Sequence, residues 1–467
     1  VTSAAAGATG LVKAIKPRRP RTRRSVELAM LVFAVIIALA AYADVGLTRS
    51  QHVPPDILTY GLGLGALVLL AHIAIRRFAK YADPLLLPCA ALLNGLGLVL
   101  IHRLDLVAPK AARSDATLQL AWSAVGIVGF IAVLVIVRDH RRLQRFTYTS
   151  MLLGLILLAI PSVLPVRYSE VNGARNWIRF DGFSIQPGEF SKVLLVIFVA
   201  GFLVAKRDAL ALAGRRFAGI DLPRGRDLGP VVLAWLVSVG LLVRGRDLGM
   251  SILFLGFFII MLYIATERLS WLLIGALLFG GGTFLAYHLF GYVRLRFEDW
   301  LHPFNYAQGS GYQLVQALYG FATGGLMGTG LGNGRPDLVP FANSDFIVAT
   351  IGEELGLTGL MAILLVYVVI VSRGLRAALS VRDSFGKLLA AGLSVCLAVQ
   401  VFVVVGGVMR LIPLTGITTP FLSYGGSSLV SNWILLALLV RISDAGRRPA
   451  PAAAPRPDDA MTQVITL

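Results

Sequence analysis

The chain has 467 residues, 57% of them hydrophobic and 15% charged, against about a quarter charged in a typical soluble domain. Apolar runs recur from Val26 to Arg441, and about 20 such residues in a helix cross a bilayer core; a soluble protein is excluded in favour of an all-α polytopic membrane domain. The net charge of +18 is no mark of nucleic-acid binding: with the Arg-rich start, Pro17 to Arg24, inside the cell, about two-thirds of the Lys and Arg fall on that side, which is the positive-inside bias and secondarily contact with membrane lipids.

Residues 1–25 are rich in Ala, Gly, Lys and Arg and read as a disordered basic cytoplasmic N-terminus. About twelve spans succeed it within a transmembrane domain at 26–441, at roughly 26–45, 58–76, 85–103, 118–137, 148–166, 188–205, 229–243, 250–266, 270–290, 346–372, 388–409 and 421–440. The first ends in Ala41-Tyr42-Ala43, which resembles a signal-peptidase site. Its apolar part is longer than a signal peptide's and further spans come after it, so it reads as an uncleaved anchor. Cys89 and Cys396 fall inside spans and read as packing residues. Cytoplasmic connections are short and basic; the exception, 206–228, is long enough to lie along the membrane surface. Two connections on the outer side are long, 167–187 and 291–345, the second preceding the tenth span; loops of that length in a compact fold are functional or disordered. Residues 442–467 form a Pro/Ala-rich cytoplasmic tail. Neither a Walker A loop nor a dinucleotide fingerprint is present, which argues against nucleotide-driven transport by this chain alone.

Ionisable groups at membrane depth are costly and default to functional candidates. In "NGARNWIRFDGFSIQPGEFSK" (172–192), Arg175 and Arg179 are cations on the outer side, Pro187 suits the first turn of a helix, and Glu189 and Lys192 share a helical face. They read either as a cap with a structural ion pair or as a rim for a phosphate-bearing lipid. In "RGRDLG" (244–249), Asp247 suits a helix cap. In "NSDFIVATIGEELG" (343–356), Asp345 sits at the membrane edge. Glu353 and Glu354 point about 100° apart, so one of them is expected to pair with Lys192 or an arginine. In "RLIPLTGITTPFLSYGGSSLVSN" (410–432), Pro, Gly and hydroxyl residues break the apolar pattern around Arg410 and Ser427; at membrane depth such backbone lines a cavity or is buried in protein.

These stretches, with "GYQLVQALYGFATGGLMGTGLGNG" (311–334), resemble the SEDS family (shape, elongation, division and sporulation), the RodA/FtsW/SpoVE proteins, over roughly Asp83 to Arg441, and the actinobacterial RodA branch in particular. The resemblance implies the SEDS fold in a bacterial cytoplasmic membrane, multi-pass, with both termini cytoplasmic. It implies a peptidoglycan glycosyltransferase that polymerises lipid II at the outer face for cell elongation and shape, or for division if FtsW-like. The partners implied are lipid II, undecaprenyl pyrophosphate, a class B penicillin-binding protein and other elongation or division machinery. No organic cofactor is implied; Mg2+ or Mn2+ is a candidate for charge at the pyrophosphate. By residue type Arg175, Arg179, Lys192 and Arg410 fit the pyrophosphate. Glu189, Asp247, Gln313, Asp345, Glu353 and Ser427 complete the expected substrate site.

The chain departs from the family in the large loop. Relatives read Trp-Leu-Asp-Pro, a second Asp-Pro and then Gly-x-Gly-Tyr-Gln, whereas here "WLHPFNYAQGSGYQ" (300–313) has His302 at the first acid and Tyr306 at the second, catalytic one. Three readings stay open: Asp299 or its neighbour Glu298 substitutes as the base; His302 does, its ordinary pKa near 6.5 permitting it; or the chain is a catalytically impaired scaffold for its transpeptidase. A lipid-linked precursor transporter is a further alternative.

Overall fold

The computed structural model describes residues 22–107, 114–171, 173–180, 183–211, 215–217, 220–222 and 225–449. Its helices are α1 (Arg24–Ser50), α2 (Ile57–Phe78), α3 (Leu86–Asp105), α4 (Asp115–Ile136), α5 (Thr147–Val163), α6 (Val166–Ser169), α7 (Pro187–Ala211), α8 (Gly225–Arg244), α9 (Leu248–Thr266), α10 (Ser270–Leu289), α11 (Gly291–Leu301), α12 (Tyr312–Gly324), α13 (Ile347–Glu354), α14 (Gly356–Ser380), α15 (Ser384–Val408) and α16 (Gly426–Arg447). Two antiparallel hairpins interrupt them. β1 (Ile178–Phe180) pairs with β2 (Phe183–Ile185) with Arg179 opposite Ser184, and β3 (Arg215–Phe217) pairs with β4 (Ile220–Leu222). Among the described residues eleven helices are long and apolar enough to cross a membrane. The remaining expected span is α8, whose apolar part, Gly229–Arg244, extends only about 24 Å at 1.5 Å per residue. The chain is a multi-pass helical membrane protein.

Capping side chains fix where several helices begin. Ser114 Oγ accepts the Thr117 amide at 3.3 Å, Asp247 Oδ1 the Met250 amide at 3.0 Å and Asp383 Oδ2 the Gly386 amide at 2.7 Å, each supplying one of the acceptors a helix start lacks. Pro187 opens α7, as its sequence position suggests.

Three element boundaries differ from the sequence reading. The stretch read as one span at 346–372 is two helices, because the chain turns at Gly356 (φ +68°). A Cβ at Gly356 would lie 2.3 Å from the Gly328 amide nitrogen, so the close approach of the Leu326–Gly328 backbone demands glycine. The outer connection at 291–345 is not a plain loop but carries α11 and α12. At the other end, α16 continues to Arg447, six residues into the segment read as tail (442–447), because Asp444 is buried and accepts the Tyr81 amide at 2.8 Å. The first helix runs unbroken through Ala41–Ala43, with Tyr42 buried. Cys396 is buried and Cys89 half-buried, both free.

α3, α7, α15 and α16 form the buried centre, while α10 lies almost wholly at the surface. A polar core ties three of the central helices together. Lys192 on α7, with no exposed surface, donates to Glu189 Oε2 at 2.5 Å, to Gln400 Oε1 of α15 at 2.7 Å and to Asn432 Oδ1 of α16 at 3.3 Å. Ser431 donates to the same Glu189 oxygen at 3.1 Å. All three ammonium donors are thereby used. Removing one partner of a buried pair leaves an uncompensated charge, at a cost of about 3–5 kcal/mol. Lys192→Met is therefore expected to lower the melting temperature of the detergent-solubilised protein markedly, and the double variant Lys192→Met/Glu189→Gln to recover most of the loss. A double variant no more stable than the single one would contradict this role for the ion pair.

Candidate active site

The segment between α15 and α16, Met409 to Gly425, has no regular structure. Arg410 (φ +61°) and Phe421 (φ +65°) hold left-handed conformations that cost a non-glycine residue on the order of 1–2 kcal/mol. Side chains from the surrounding helices bond three of its carbonyls. Gln400 Nε2 donates to Thr418 O at 3.0 Å, Gln119 Nε2 to Ser423 O at 2.9 Å, and the Tyr367 hydroxyl to Pro420 O. Ser423 Oγ accepts the Thr419 amide at 2.8 Å and donates to Ser344 O at 2.6 Å.

This strap carries α11. Arg410 donates from Nε to Trp300 O and from Nη2 to Leu301 O, both at 2.7 Å, while Trp300 Nε1 donates to Arg410 O at 3.0 Å. Arg296, a turn earlier on α11, donates from Nη1 to Leu414 O at 2.7 Å. Arg410, expected at a pyrophosphate, thus places Nε and Nη2 on carbonyls at the end of α11, and Arg296 is a second cation on the same strap, absent from the expected site residues. Its signal was its spacing: Arg296 and Asp299 are three apart, hence on one helical face.

Arg296 is the one charged side chain among the residues lining an apolar groove, with Trp235 and Val239 of α8, Leu248 and Ile252 of α9, Phe279 and Thr283 of α10, and Pro413–Thr415 of the strap. The acids Asp247 and Asp345 act on it electrostatically, as does Asp299 more weakly, offsetting the lowering of its pKa by burial. Asp247, besides capping α9, accepts Asn176 Nδ2 at 2.7 Å and Gln186 Nε2 at 3.3 Å through Oδ2; burial still raises its pKa against those bonds. Asp345 is pushed up to about 6, because burial strips its carboxylate of water and Asp247 adds to the effect, while Arg296 opposes it.

The end of α11 brings the loop's own acids together. Asp299 Oδ1 accepts the Ser310 hydroxyl at 2.6 Å, and Glu298 Oε2 accepts the Tyr306 hydroxyl at 3.2 Å. Tyr306 thus folds back onto an acid eight residues earlier. Burial and then Glu298 raise the Asp299 pKa, against the Ser310 bond. Glu298, first through its charge and then through the hydrogen bond, raises the Tyr306 phenol. The His302 side chain is exposed and makes no hydrogen bond among the described residues.

The other expected site residues are spread over the same end of the bundle. Arg175 donates to Leu164 O at 3.0 Å, Arg179 is exposed on β1, and Gln313 is half-buried in the first turn of α12. Ser427 Oγ accepts the Gln186 amide at 2.9 Å. Glu189 and Lys192 belong to the buried polar core of α7, α15 and α16. Glu353 Oε1 accepts the Arg335 amide at 2.6 Å, whereas Glu354 takes Arg103 Nε at 2.9 Å, so the acid that pairs with an arginine is the second of the two. Ser310, Asn176, Gln400 and Asn432, which hold charged groups here, carried no signal apart from their polarity.

A multi-pass bundle with an apolar groove whose one charged lining residue is the cation Arg296 is suited to an amphiphile with an anionic head. A sequence profile of the family described as Cell cycle protein, FtsW/RodA/SpoVE, matches residues 83–448, and the chain belongs to that family. It is 55% identical over 439 residues to the peptidoglycan glycosyltransferase RodA of Mycobacterium bovis, covering 93% of each chain. It is 52% identical over 441 residues to that of Mycobacterium leprae, covering 94% of each. A solved structure of a peptidoglycan synthase complex, described as coordinating polymerization and crosslinking, matches with a TM-score of 0.63 at 25% identity, covering 79% of this chain and 99% of that one.

Two outcomes test the site's construction. Arg410→Ala removes both bonds to the end of α11 and is expected to raise amide hydrogen exchange across 291–313 while leaving α7 and α15 protected; unchanged exchange there would show that the clamp is idle. For Asp345, the folded pKa of about 6 lies above the ordinary value of 3.8. Its stabilising contribution is therefore fully present below about pH 3.8 and lost as pH rises through 6. Relative to Asp345→Asn, the wild-type melting temperature should fall as pH rises from 4 to 7, and parallel curves would contradict the shift.

Proposed function

We propose that this chain is a peptidoglycan polymerase of the RodA type, elongating glycan strands from lipid II at the outer face of the cytoplasmic membrane and releasing undecaprenyl pyrophosphate. The observation that carries the proposal is the apolar groove ending on Arg296, one helical turn from Asp299. The positive-inside bias supports placing the α11–α13 face outside and both termini inside. The polymerization and crosslinking named for the similar complex support a class B penicillin-binding protein as partner in cell elongation.

In this reading the polyprenyl tail lies in the groove against α10 and the diphosphate meets Arg296. Asp299 takes the proton of the acceptor sugar hydroxyl, whose oxygen forms a bond to the donor's anomeric carbon as the bond from that carbon to the diphosphate oxygen breaks. Arg296 offsets the charge of the leaving diphosphate, and the proton passes from Asp299 to solvent. The raised pKa of Asp299 brings it nearer the working pH, where a general base is most effective. His302 is the alternative base; its exposure and lack of a partner leave it unoriented. Among the described residues no group of three or more His, Cys, Asp or Glu could hold a metal ion. Mg2+ or Mn2+ would be held chiefly by the substrate's own phosphates.

The specific observation favouring a second reading, a catalytically impaired scaffold for the transpeptidase, is His302 and Tyr306 in the places of the family's acids. The phenol at 306, itself donating to Glu298, is no base at neutral pH. Polymerisation of lipid II by the purified protein, with and without its transpeptidase, separates the two. Strands are expected from the wild type, with a loss of about 100-fold or more in Asp299→Ala, little change in His302→Ala, and an acid limb of kcat/KM above the ordinary carboxylate range. No strands with any metal or partner, together with strands restored by Tyr306→Asp/Ala307→Pro, would establish the scaffold. Flipping of labelled lipid II without strand formation would point to transport.

A further inference from the structure

At the face opposite α11–α13, a cavity opens between the end of α4, the 3-10 turn His140–Phe146 and the end of α16. Arg138, Arg141, Arg441 and Arg448 line it together with Asp139, Asp444 and His140. No part of the proposed polymerase chemistry uses it.

Both carboxylate oxygens of Asp444 are already engaged in this cavity, whereas donors of Arg441 and Arg138 are not. Asp444 accepts the Tyr81 amide at 2.8 Å, Arg448 Nε at 2.9 Å and Arg448 Nη2 at 2.7 Å. Asp139 caps the Arg141 amide at 3.0 Å, and Arg141 Nε turns to Asp383 at 3.2 Å. Arg441 is only 3% exposed, and its terminal nitrogens donate to uncharged carbonyls, Phe78 O at 2.5 Å and Leu134 O. The Asp444 carboxylate is 3.9 Å away and Asp139 acts on it more weakly, and its buried Nε has no hydrogen-bond partner. His140 is 1% exposed, with Nε2 donating to Asp383 at 3.0 Å and Nδ1, 3.8 Å from Asp139 Oδ1, outside hydrogen-bond range. The exposed Arg138 has no side-chain partner among the described residues. A buried guanidinium with an unused donor is costly. The cavity thus lacks a compact, acceptor-only group that carries negative charge and takes several N–H bonds at once, which is the chemistry of phosphate beside arginines.

We propose that this cavity is a binding site for an anionic phosphate group, supplied by the headgroup of an anionic lipid in the adjoining leaflet or by a soluble phosphate compound. Arg441 and His140 form its buried floor, and Arg138 and Arg448 its exposed rim. An occupant joins the ends of α4 and α16 through one charge.

The test uses the full-length protein, delipidated in detergent, with two probes: phosphatidylglycerol, compared with zwitterionic phosphatidylcholine by native mass spectrometry, and inorganic phosphate by calorimetric titration. Because Arg441 also supports the fold, the rim is altered instead, in Arg138→Gln/Arg448→Gln, with Arg76→Gln/Arg376→Gln as a control that removes two exposed cations elsewhere on the same face. The wild type is expected to bind one or both anionic probes in preference to phosphatidylcholine. The rim variant should bind about tenfold or more weakly, and the control like the wild type. Retention of the lipid alone identifies a headgroup as the source, and binding of phosphate alone a soluble ligand. Equal affinity in the wild type and rim variant, equal loss in the control, or no preference for either anionic probe would overturn the proposal.

Discussion

Irregular backbone cannot lie bare at membrane depth, and the strap from Met409 to Gly425 is where this molecule meets that constraint. Gln400 is the hinge of the solution. Its side-chain carbonyl accepts Lys192 at 2.7 Å, while its amide nitrogen donates to Thr418 O at 3.0 Å. One side chain thereby couples the buried ion core of α7, α15 and α16 to the strap, and neither half is complete without it: Lys192 would lack an acceptor and Thr418 a donor. Gln119, Tyr367 and Ser423 close the remaining bonds.

A satisfied strap fixes the position of α11. The carbonyls of Arg410 and Leu414 receive Trp300 and Arg296, so the helix that carries Glu298 and Asp299 is docked by hydrogen bonds rather than by deep apolar burial. Those same contacts fix the guanidinium of Arg296 where the groove ends. The groove, in turn, exists because α10 packs little of its surface against the bundle. The site therefore combines a rigid polar floor with an open apolar wall, an arrangement suited to a ligand whose tail remains in the bilayer while its head meets fixed charges. The raised pKa values of Asp247, Asp345 and Asp299 reflect water lost to burial.

Much of this was readable from the sequence. Ionisable residues at membrane depth stand out against apolar runs, so the clusters around Lys192, Asp247, Glu354 and the strap could all be marked, and the Glu189–Lys192 pair and the Asp247 cap come from helical spacing. Hydropathy could not separate α13 from α14, because an apolar helix buried in protein and one facing lipid have the same composition; only the positive φ at Gly356 divides them. Nor could residue type assign the arginines. Arg410 and Arg296 are alike by residue type, and the carbonyls each meets, Trp300 and Leu301 for one and Leu414 for the other, are set by tertiary structure. The extension of α16 past Arg441 was hidden for a similar reason: Asp444 reads as a tail residue until its contact with Tyr81 is known.

The central claim is that the head of a lipid-linked substrate is read by Arg296 at the end of the groove. The most direct measurement is a cryo-electron microscopy structure of the protein with lipid II in nanodiscs. The expected result is a diphosphate within hydrogen-bonding distance of the Arg296 guanidinium, with the polyprenyl tail running along α10. A diphosphate seated instead on Arg175 and Arg179, with the groove empty, would contradict it.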